Sequence, residues 1–146
     1  MAHVLVTGAT GFIASHCIVK LLERGHTVRG TARSTSRTGA LNMLLSDYMD
    51  AEIDVPLVAA DLQRDKGWDE AMGGVDIVLH VASPIPANLP RDADELIVPA
   101  RDGALRVLKA ARNAGLDRVV MTSSVAAIAY GWGDARPDIL TEEHWS

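Results

Sequence analysis

The sequence contains a single cysteine, Cys17, and only 4% aromatic residues in 146. A lone cysteine excludes an internal disulfide. No apolar run approaches the roughly 20 residues that a membrane-spanning helix requires. Positive charge is not in excess either, since 14 Lys and Arg against 19 Asp and Glu give a formal net charge of −5. This balance provides no general attraction to nucleic acid or to anionic membranes.

The remaining absences narrow the class further. No basic segment precedes the first apolar stretch, so we see no signal peptide and expect a cytoplasmic protein. The five histidines are scattered, without metal-ligand spacing or cysteine partners, which predicts that no metal is bound. Hydrophobic residues make up 48% and charged residues 23%, which is ordinary for a folded protein. The length predicts one domain, spanning 1–146.

Short apolar, β-branched runs alternate with longer amphipathic segments. We predict strands at 3–7, 27–32, 55–60, 75–81 and 118–122, and helices at 12–24, 38–49, 66–72 and 92–113. Pro99 is expected to kink the last helix or to mark its restart. Such alternation is typical of βαβ units. The pattern predicts an α/β fold, a Rossmann-type doubly wound parallel sheet with helices on both faces.

The first predicted strand runs into a glycine-rich turn, Gly8-Ala9-Thr10-Gly11-Phe12-Ile13-Ala14. In dinucleotide-binding turns the first glycine permits a tight bend, the second lets the backbone approach a diphosphate, and a small third residue lets the helix pack closely. The amides at the helix N-terminus then bind the phosphates. The spacing here is Gly-x-x-Gly-x-x-Ala, and an ordinary strand-to-helix turn is the alternative. Its place after the first strand favours nucleotide binding.

The end of the second strand indicates which nucleotide. NAD sites usually carry Asp or Glu there, which bonds the ribose 2′-hydroxyl. This chain has Thr31-Ala32-Arg33-Ser34, with Arg37 close behind. A guanidinium at this point favours a 2′-phosphate through charge-assisted bonds. We therefore predict NADP(H) in preference to NAD(H), although solvated surface arginines are the alternative.

Four segments taken in order resemble the extended short-chain dehydrogenase/reductases, also called the NAD-dependent epimerase/dehydratase superfamily. They are Val-Thr-Gly-Ala-Thr-Gly-Phe-Ile-Ala-Ser-His, Thr-Val-Arg-Gly-Thr-Ala-Arg, Leu-His-Val-Ala-Ser-Pro and Arg-Val-Val-Met-Thr-Ser-Ser. The stretch His80-Val81-Ala82-Ser83-Pro84 is similar to the dihydroflavonol reductase branch, with its cinnamoyl-CoA reductases and yeast-type ketone and aldehyde reductases. The resemblance covers essentially the whole chain. It implies an NADPH-dependent oxidoreductase that reduces an aldehyde or a ketone.

The resemblance also implies a role for each matching residue. The diphosphate would be lined by Gly8, Thr10, Gly11, Phe12 and Ile13, and the 2′-phosphate by Arg33 with Arg37. Asp61 and Leu62 would meet the adenine, with the Asp61 carboxylate accepting a hydrogen bond from the exocyclic amine. The nicotinamide half would be bordered by Val81, Ala82, Ser83 and Thr122. Ser124 matches the catalytic serine, whose hydroxyl holds and polarises the substrate carbonyl, and Ser123 is its neighbour.

The family chemistry further needs a Tyr-x-x-x-Lys pair, in which the tyrosine protonates the carbonyl oxygen and the lysine lowers the tyrosine pKa. Tyr48 and Tyr130 are the tyrosines of this chain, and Glu52 and Asp134 stand four residues after them. The sequence therefore looks like the N-terminal cofactor-binding part of such a reductase. We expect the C-terminal strands and the substrate region of the family to be missing. The chain alone is expected to be catalytically incomplete.

Two other functions stay open from sequence. The first is a binding-only NADP(H) module or inactive fragment, which the missing Tyr-x-x-x-Lys pair favours. The second is a nucleotide-sugar epimerase or dehydratase, which His-Val-Ala-Ser-Pro disfavours, since those enzymes typically carry His-x-Ala-Ala there. The helix at 92–113 carries an apolar stripe, which predicts packing against the sheet and consists of Ala100, Ala104, Val107, Leu108 and Ala111. In extended family members this helix commonly joins a homodimer, so we consider dimerisation as well.

Overall fold

The computed structural model describes residues 1–85 and 90–145, so Ser146, the last residue of the predicted domain, lies outside them. The strands are β1 (His3–Val6), β2 (Thr27–Ala32), β3 (Leu57–Ala59), β4 (Ile77–His80) and β5 (Val119–Met121). The helices are α1 (Phe12–Glu23), α2 (Thr38–Met49), α3 (Trp68–Met72), α4 (Asp94–Asn113) and α5 (Ala126–Ala129). Short 3₁₀ turns occupy Thr35–Arg37 and Gly133–Ala135. Nine of these elements match predicted ones, and α5 was not predicted.

The five strands form one sheet in the order β3-β2-β1-β4-β5, and every neighbouring pair is parallel. The chain builds outward from β1 to β3, then crosses back to place β4 on the other side of β1. Loops leaving the carboxyl ends of β1 and β4 therefore diverge, and this divergence opens a crevice for ligands in doubly wound sheets. The predicted Rossmann-type fold is confirmed.

Helices cover both faces because the strand side chains alternate. Val4 and Val6 of β1 point into a core that includes Ile18 of α1 and Leu45 of α2. Leu5, between them, belongs to the opposite core, together with Trp68 and Met72 of α3 and Val107 of α4. Each face of the sheet thus has its own buried cluster.

Four observed strands are shorter than predicted: the one at 3–7 by one residue, the one at 118–122 by one residue at each end, and the other two by three residues each. The strand expected at 55–60 begins only at Leu57, because the preceding Pro56 has no N–H to donate to a ladder. The strand expected at 75–81 begins at Ile77, because the amide of Val75 still bonds the Met72 carbonyl at the end of α3. The apolar character of both segments reflects burial of the loops as well as the strands.

Helix α4 continues through Pro99, so no restart occurs there. Its predicted stripe is partly correct, since Val107 and Ala111 are buried against the sheet whereas Leu108 is exposed. Homodimerisation through this helix stays a prediction. Across the described residues, no helix combines the length and the apolar character needed to cross a membrane.

Candidate functional site

A cleft of about 580 Å³ opens at the carboxyl ends of the strands, above the point where β1 and β4 diverge. It is lined by the turn after β1, the end of β2, the segment after β3 and the segment after β4. The lining residues are Gly8, Thr10, Gly11, Phe12, Ile13, Ala14, Thr31, Ala32, Arg33, Ala60, Asp61, Leu62, Gln63, Trp68, Val81, Ala82, Ser83, Pro84 and Ile85. This is where a doubly wound sheet binds its ligand.

The glycine turn after β1 is closely packed against the segment after β4. Gly8 has a φ of +65°, which strains any residue with a Cβ, and a Cβ there would lie 2.9 Å from Ala82 Cβ. Gly11 begins α1 and donates its amide to the Gly8 carbonyl at 2.8 Å. The turn therefore requires glycine at position 8, whereas a Cβ at position 11 would lie 3.1 Å from the Gly8 carbonyl oxygen, a tight contact.

The N-terminus of α1 is left without a cap. Gly11 has no side chain to accept a hydrogen bond, and the first turn contains no acidic residue. The first amide of this helix bonded to a described residue is that of Ser15, which reaches the Gly11 carbonyl at 2.9 Å. The amides of residues 12–14 thus face the cleft region unpaired, at the positive end of the helix dipole. Such a helix end binds anions.

Thr7 connects the two strands that form the crevice. Its buried Oγ1 accepts the amides of Val81 and Ala82, each at 3.0 Å, and lies 2.8 Å from His80 Nδ1. Two amides occupy the hydroxyl oxygen as acceptor, so its proton is the one available for His80. Thr7 therefore holds the first residues of the β4 loop against the glycine turn.

This arrangement also determines the state of His80. Because Thr7 donates to Nδ1, that nitrogen carries no proton and the neutral ring bears it on Nε2. His80 is 3% exposed, and desolvation by burial lowers its pKa below the ordinary value. Both observations favour the neutral imidazole, so His80 has a structural role at the end of β4, beneath the segment that lines the cleft.

The end of β2 provides hydrogen bonds to the glycine turn and a positively charged side chain. Thr31 is buried; its carbonyl accepts the Ala9 amide at 2.9 Å and its hydroxyl accepts the Gly8 amide at 3.3 Å. Arg33, two residues later, is exposed and lines the cleft, whereas Arg37 lies outside the lining at the end of a 3₁₀ turn. Neither guanidinium bonds or pairs with another side chain in the described part of the chain. Their charge is available to a ligand.

The segment after β3 forms another wall of the cleft. The Asp61 carboxylate accepts the Gln63 amide at 3.0 Å, which folds the segment back on itself. Below it the indole of Trp68 donates to the carbonyls of Asp61 and Arg64, at 3.1 and 3.0 Å. Trp68 is 2% exposed and so forms a rigid base under Asp61 and Leu62.

The predicted catalytic serine lies past the end of β5. The Thr122 amide bonds the His80 carbonyl at 3.0 Å, so the end of β5 stands beside the end of β4. Ser124 follows on the same edge of the sheet, where its exposed hydroxyl accepts the Ala126 amide at 3.2 Å and starts α5. Thr122 and Ser124 do not line the cleft, although they border it along the sheet edge.

Eleven residues predicted from sequence come together in this one cleft, and Arg37, Thr122 and Ser124 lie outside its lining. Sequence reasoning missed the contributions of Thr31, Gln63, Trp68 and Ile85. Trp68 gave a usable signal, since a tryptophan in a short helix after the third strand has to be buried near that strand's end. Among residues 1–85 and 90–145, no group of three metal-ligating side chains could hold an ion.

A parallel doubly wound sheet with an uncapped glycine turn at its crevice defines a Rossmann-type nucleotide-binding fold. The sequence profile of the NAD dependent epimerase/dehydratase family matches residues 4–145. The chain belongs to this family.

Similar proteins include several reductases. The chain is 39% identical to tetraketide alpha-pyrone reductase 2 of Arabidopsis thaliana, over 100% of this chain and 46% of the relative. It is 38% identical to cinnamoyl-CoA reductase CAD2 of Medicago truncatula, over 97% of this chain and 44% of that protein. The chain therefore spans less than half the length of these relatives.

Solved structures of reductases also resemble this chain in fold. Gre2 from Candida albicans in complex with NADPH aligns with a TM-score of 0.77 at 35% identity, covering 99% of this chain and 44% of that one. Vestitone reductase from alfalfa aligns with a TM-score of 0.76 at 32% identity, covering 100% and 43%. The expected resemblance to the dihydroflavonol reductase branch is confirmed.

Replacing Thr7 with valine should lower the free energy of unfolding by about 2–4 kcal/mol, because two partly buried amides and the buried His80 lose their partner. Thr7→Ser keeps the hydroxyl and should lose only about 1 kcal/mol for the missing methyl. Urea denaturation of both variants measures the difference. Equal stability of the valine and serine variants would refute the role assigned to the Thr7 hydroxyl.

The lowered pKa of His80 predicts that stability depends on pH. In the unfolded chain His80 takes up a proton at about pH 6.5, whereas burial keeps it neutral in the folded chain. Its contribution to the free energy of unfolding is therefore fully present above that pH and is lost as the pH falls below it. Urea midpoints should therefore fall between about pH 7.5 and 5.5. His80→Gln should show a shallower fall, and an identical slope in both proteins would contradict the assignment.

Proposed function

We propose that this chain binds NADP(H) in the cleft and forms the cofactor-binding part of an NADPH-dependent reductase of aldehydes or ketones, of the dihydroflavonol reductase-like type. The observation that carries this is the meeting, in one cleft, of an uncapped helix N-terminus and an unpaired arginine at the end of β2. Both features suit phosphate groups, and they stand on neighbouring strands. The names of the similar reductases support the reaction class.

The glycine turn fits a diphosphate. Gly8 and Gly11 leave space where a side chain would stand, and the unpaired amides of residues 12–14 supply donors. No carboxylate in the first turn of α1 opposes an anion. Gly8, Thr10, Gly11, Phe12 and Ile13 would hold this part of the nucleotide.

The end of β2 fits a ribose phosphate better than a ribose hydroxyl. No acidic residue stands between Ala32 and Arg37, and the Arg33 guanidinium, which has no partner among the described residues, belongs to the cleft lining. The related structures include one complexed with NADPH and another with bound NAD, so this chain's own residues have to decide between the two. Arg33 supports NADP(H) in preference to NAD(H), because a guanidinium binds a phosphate in a charge-assisted, bidentate manner.

The two remaining walls would hold the ends of the nucleotide. Asp61 and Leu62 would meet the adenine, and Val81, Ala82 and Ser83 would border the nicotinamide ribose with Thr122. A bound NADPH would supply the hydride for carbonyl reduction. Ser124 would hold the substrate carbonyl by donating its hydroxyl proton, and its position on the edge beside β4 suits that task.

A binding-only NADP(H) module is the second candidate. The observation in its favour is that neither Tyr48 nor Tyr130 is followed by lysine four residues later. Proton donation to the carbonyl would then need groups that these 146 residues do not supply. The two candidates share the nucleotide site and differ only in the chemistry that follows.

Arg33→Ala should weaken NADPH binding about tenfold or more while changing NADH binding by less than about twofold, because only NADPH carries the 2′-phosphate. Arg24→Ala removes the same charge at the opposite end of α1 and should change neither. Fluorescence titration of both variants measures the two affinities. Equal losses for NADPH and NADH in Arg33→Ala would overturn the proposed cofactor preference.

The chain alone should not oxidise NADPH in the presence of aldehydes or ketones, because it lacks the family's proton donor. Fusion to the remaining part of a similar reductase that carries Tyr-x-x-x-Lys should give carbonyl-dependent NADPH oxidation, measured by absorbance. Ser124→Ala should abolish it, and Ser123→Ala should retain it. Turnover by the chain alone would contradict its proposed incompleteness, and a fusion that binds NADPH without turnover would favour the binding-only module.

A further inference from the structure

Helix α4 touches the cleft wall after β3 at two positions one turn apart, Gly103 and Arg106. Gly103 is buried, and a Cβ there would lie 3.0 Å from Leu62 Cβ, closer than nine in ten real contacts of this kind. The missing side chain lets the helix approach Leu62 directly. Helix α4 is therefore pressed against a residue that lines the nucleotide cleft.

Arg106 fixes the same residue through its backbone. Its Nη1 donates to the Leu62 carbonyl, and its Nε pairs with the Asp65 carboxylate at 2.5 Å. The Arg106 side chain is only 23% exposed, whereas that of Asp65 is 91% exposed. An ion pair with an exposed carboxylate contributes little to stability. The hydrogen bond to the Leu62 carbonyl is therefore the contact that holds the segment after β3.

The held segment is the one that forms the cleft wall. Asp61, Leu62 and Gln63 all line the cleft, and Trp68 supports the Asp61 carbonyl from below. Arg106 supports the next residue from the side and does not itself line the cleft. The hydrogen bonds from Trp68 to the Asp61 carbonyl and from Arg106 to the Leu62 carbonyl together fix the backbone that carries the Asp61 carboxylate.

We propose that Arg106 is a positioning residue, which sets the orientation of 61–63 and thereby the selectivity of the cleft for adenine. The inference rests on the proposed nucleotide function, in which Asp61 accepts a hydrogen bond from the exocyclic amine. Arg106 does not line the cleft and contacts its wall through the Leu62 carbonyl and the Asp65 carboxylate. Loss of Arg106 should therefore alter recognition of the base. Recognition of the 2′-phosphate should stay unchanged, because it depends on Arg33 at the end of β2.

The test compares NADPH with its hypoxanthine analogue, which has a carbonyl oxygen in place of the exocyclic amine. The wild-type chain should bind NADPH about five- to tenfold more tightly than the analogue, the factor expected of one hydrogen bond. In Arg106→Ala this ratio should narrow to about twofold or less, while the ratio of NADPH to NADH affinity stays at its wild-type value. A general loss of folded protein would lower all three affinities together.

Three variants serve as controls. Asp65→Ala removes the exposed partner of Arg106 and should keep the wild-type ratio, as should Arg101→Ala, which removes an exposed arginine of the same helix. Arg106→Lys should restore part of the ratio, since an ammonium can still donate to the Leu62 carbonyl. If Arg106→Ala does not fold, Gly103→Ala tests the same wall without altering the arginine, and it should narrow the ratio as well.

The outcomes separate this inference from the proposed function. A wild-type chain that binds NADPH, with an unchanged ratio in Arg106→Ala or Gly103→Ala, overturns the positioning role alone. If Asp65→Ala lowers the ratio of NADPH to analogue affinity as much as Arg106→Ala does, Arg106 does not act mainly through its contact with the Leu62 carbonyl. A wild-type chain that binds no NADPH overturns the proposed function, and the inference with it.

Discussion

The hydroxyl of Thr7 is the contact on which the cleft depends. A doubly wound sheet diverges between β1 and β4, and divergence alone would leave the two loops free to separate. Thr7 prevents this by accepting both amides at the start of the β4 loop while donating to His80. A single oxygen with all its bonding capacity used thereby fixes the glycine turn opposite Ala82.

The other segments that line the cleft are likewise held by hydrogen bonds from side chains of neighbouring strands and helices. Thr31 on β2 holds the glycine turn, Trp68 on α3 holds the segment after β3, and Arg106 on α4 holds Leu62. Among the described residues, the amides of residues 12–14 and the Arg33 guanidinium have no protein partner. The cleft therefore has a rigid frame and unpaired positive groups, which is the arrangement that a bound nucleotide diphosphate requires.

Most of the fold was predictable, because strand and helix signals are local and alternate cleanly along the chain. The glycine turn was predictable too, since its chemistry lies within Gly8–Ala14, and Arg33 stands at a fixed place after β2. Thr7 could not be assigned its role, because its partners at 80–82 lie more than 70 residues away in sequence. Arg106 likewise could not be assigned a role from sequence, because its partner Leu62 lies 44 residues away. The residues proposed to bind the nucleotide follow from local sequence patterns, whereas the residues that hold them in place depend on contacts distant in sequence.

The central claim is that the cleft between β1 and β4 binds NADP(H). Titration of the isotope-labelled chain with NADPH, followed by amide NMR shifts, tests it most directly. The account predicts the largest shifts at Gly8, at residues 11–14, at Asp61 and at Ala82, with little change in the groove between α3 and α4 around Asp69 and Lys109. Shifts confined to that groove, or none at saturating NADPH, would contradict it.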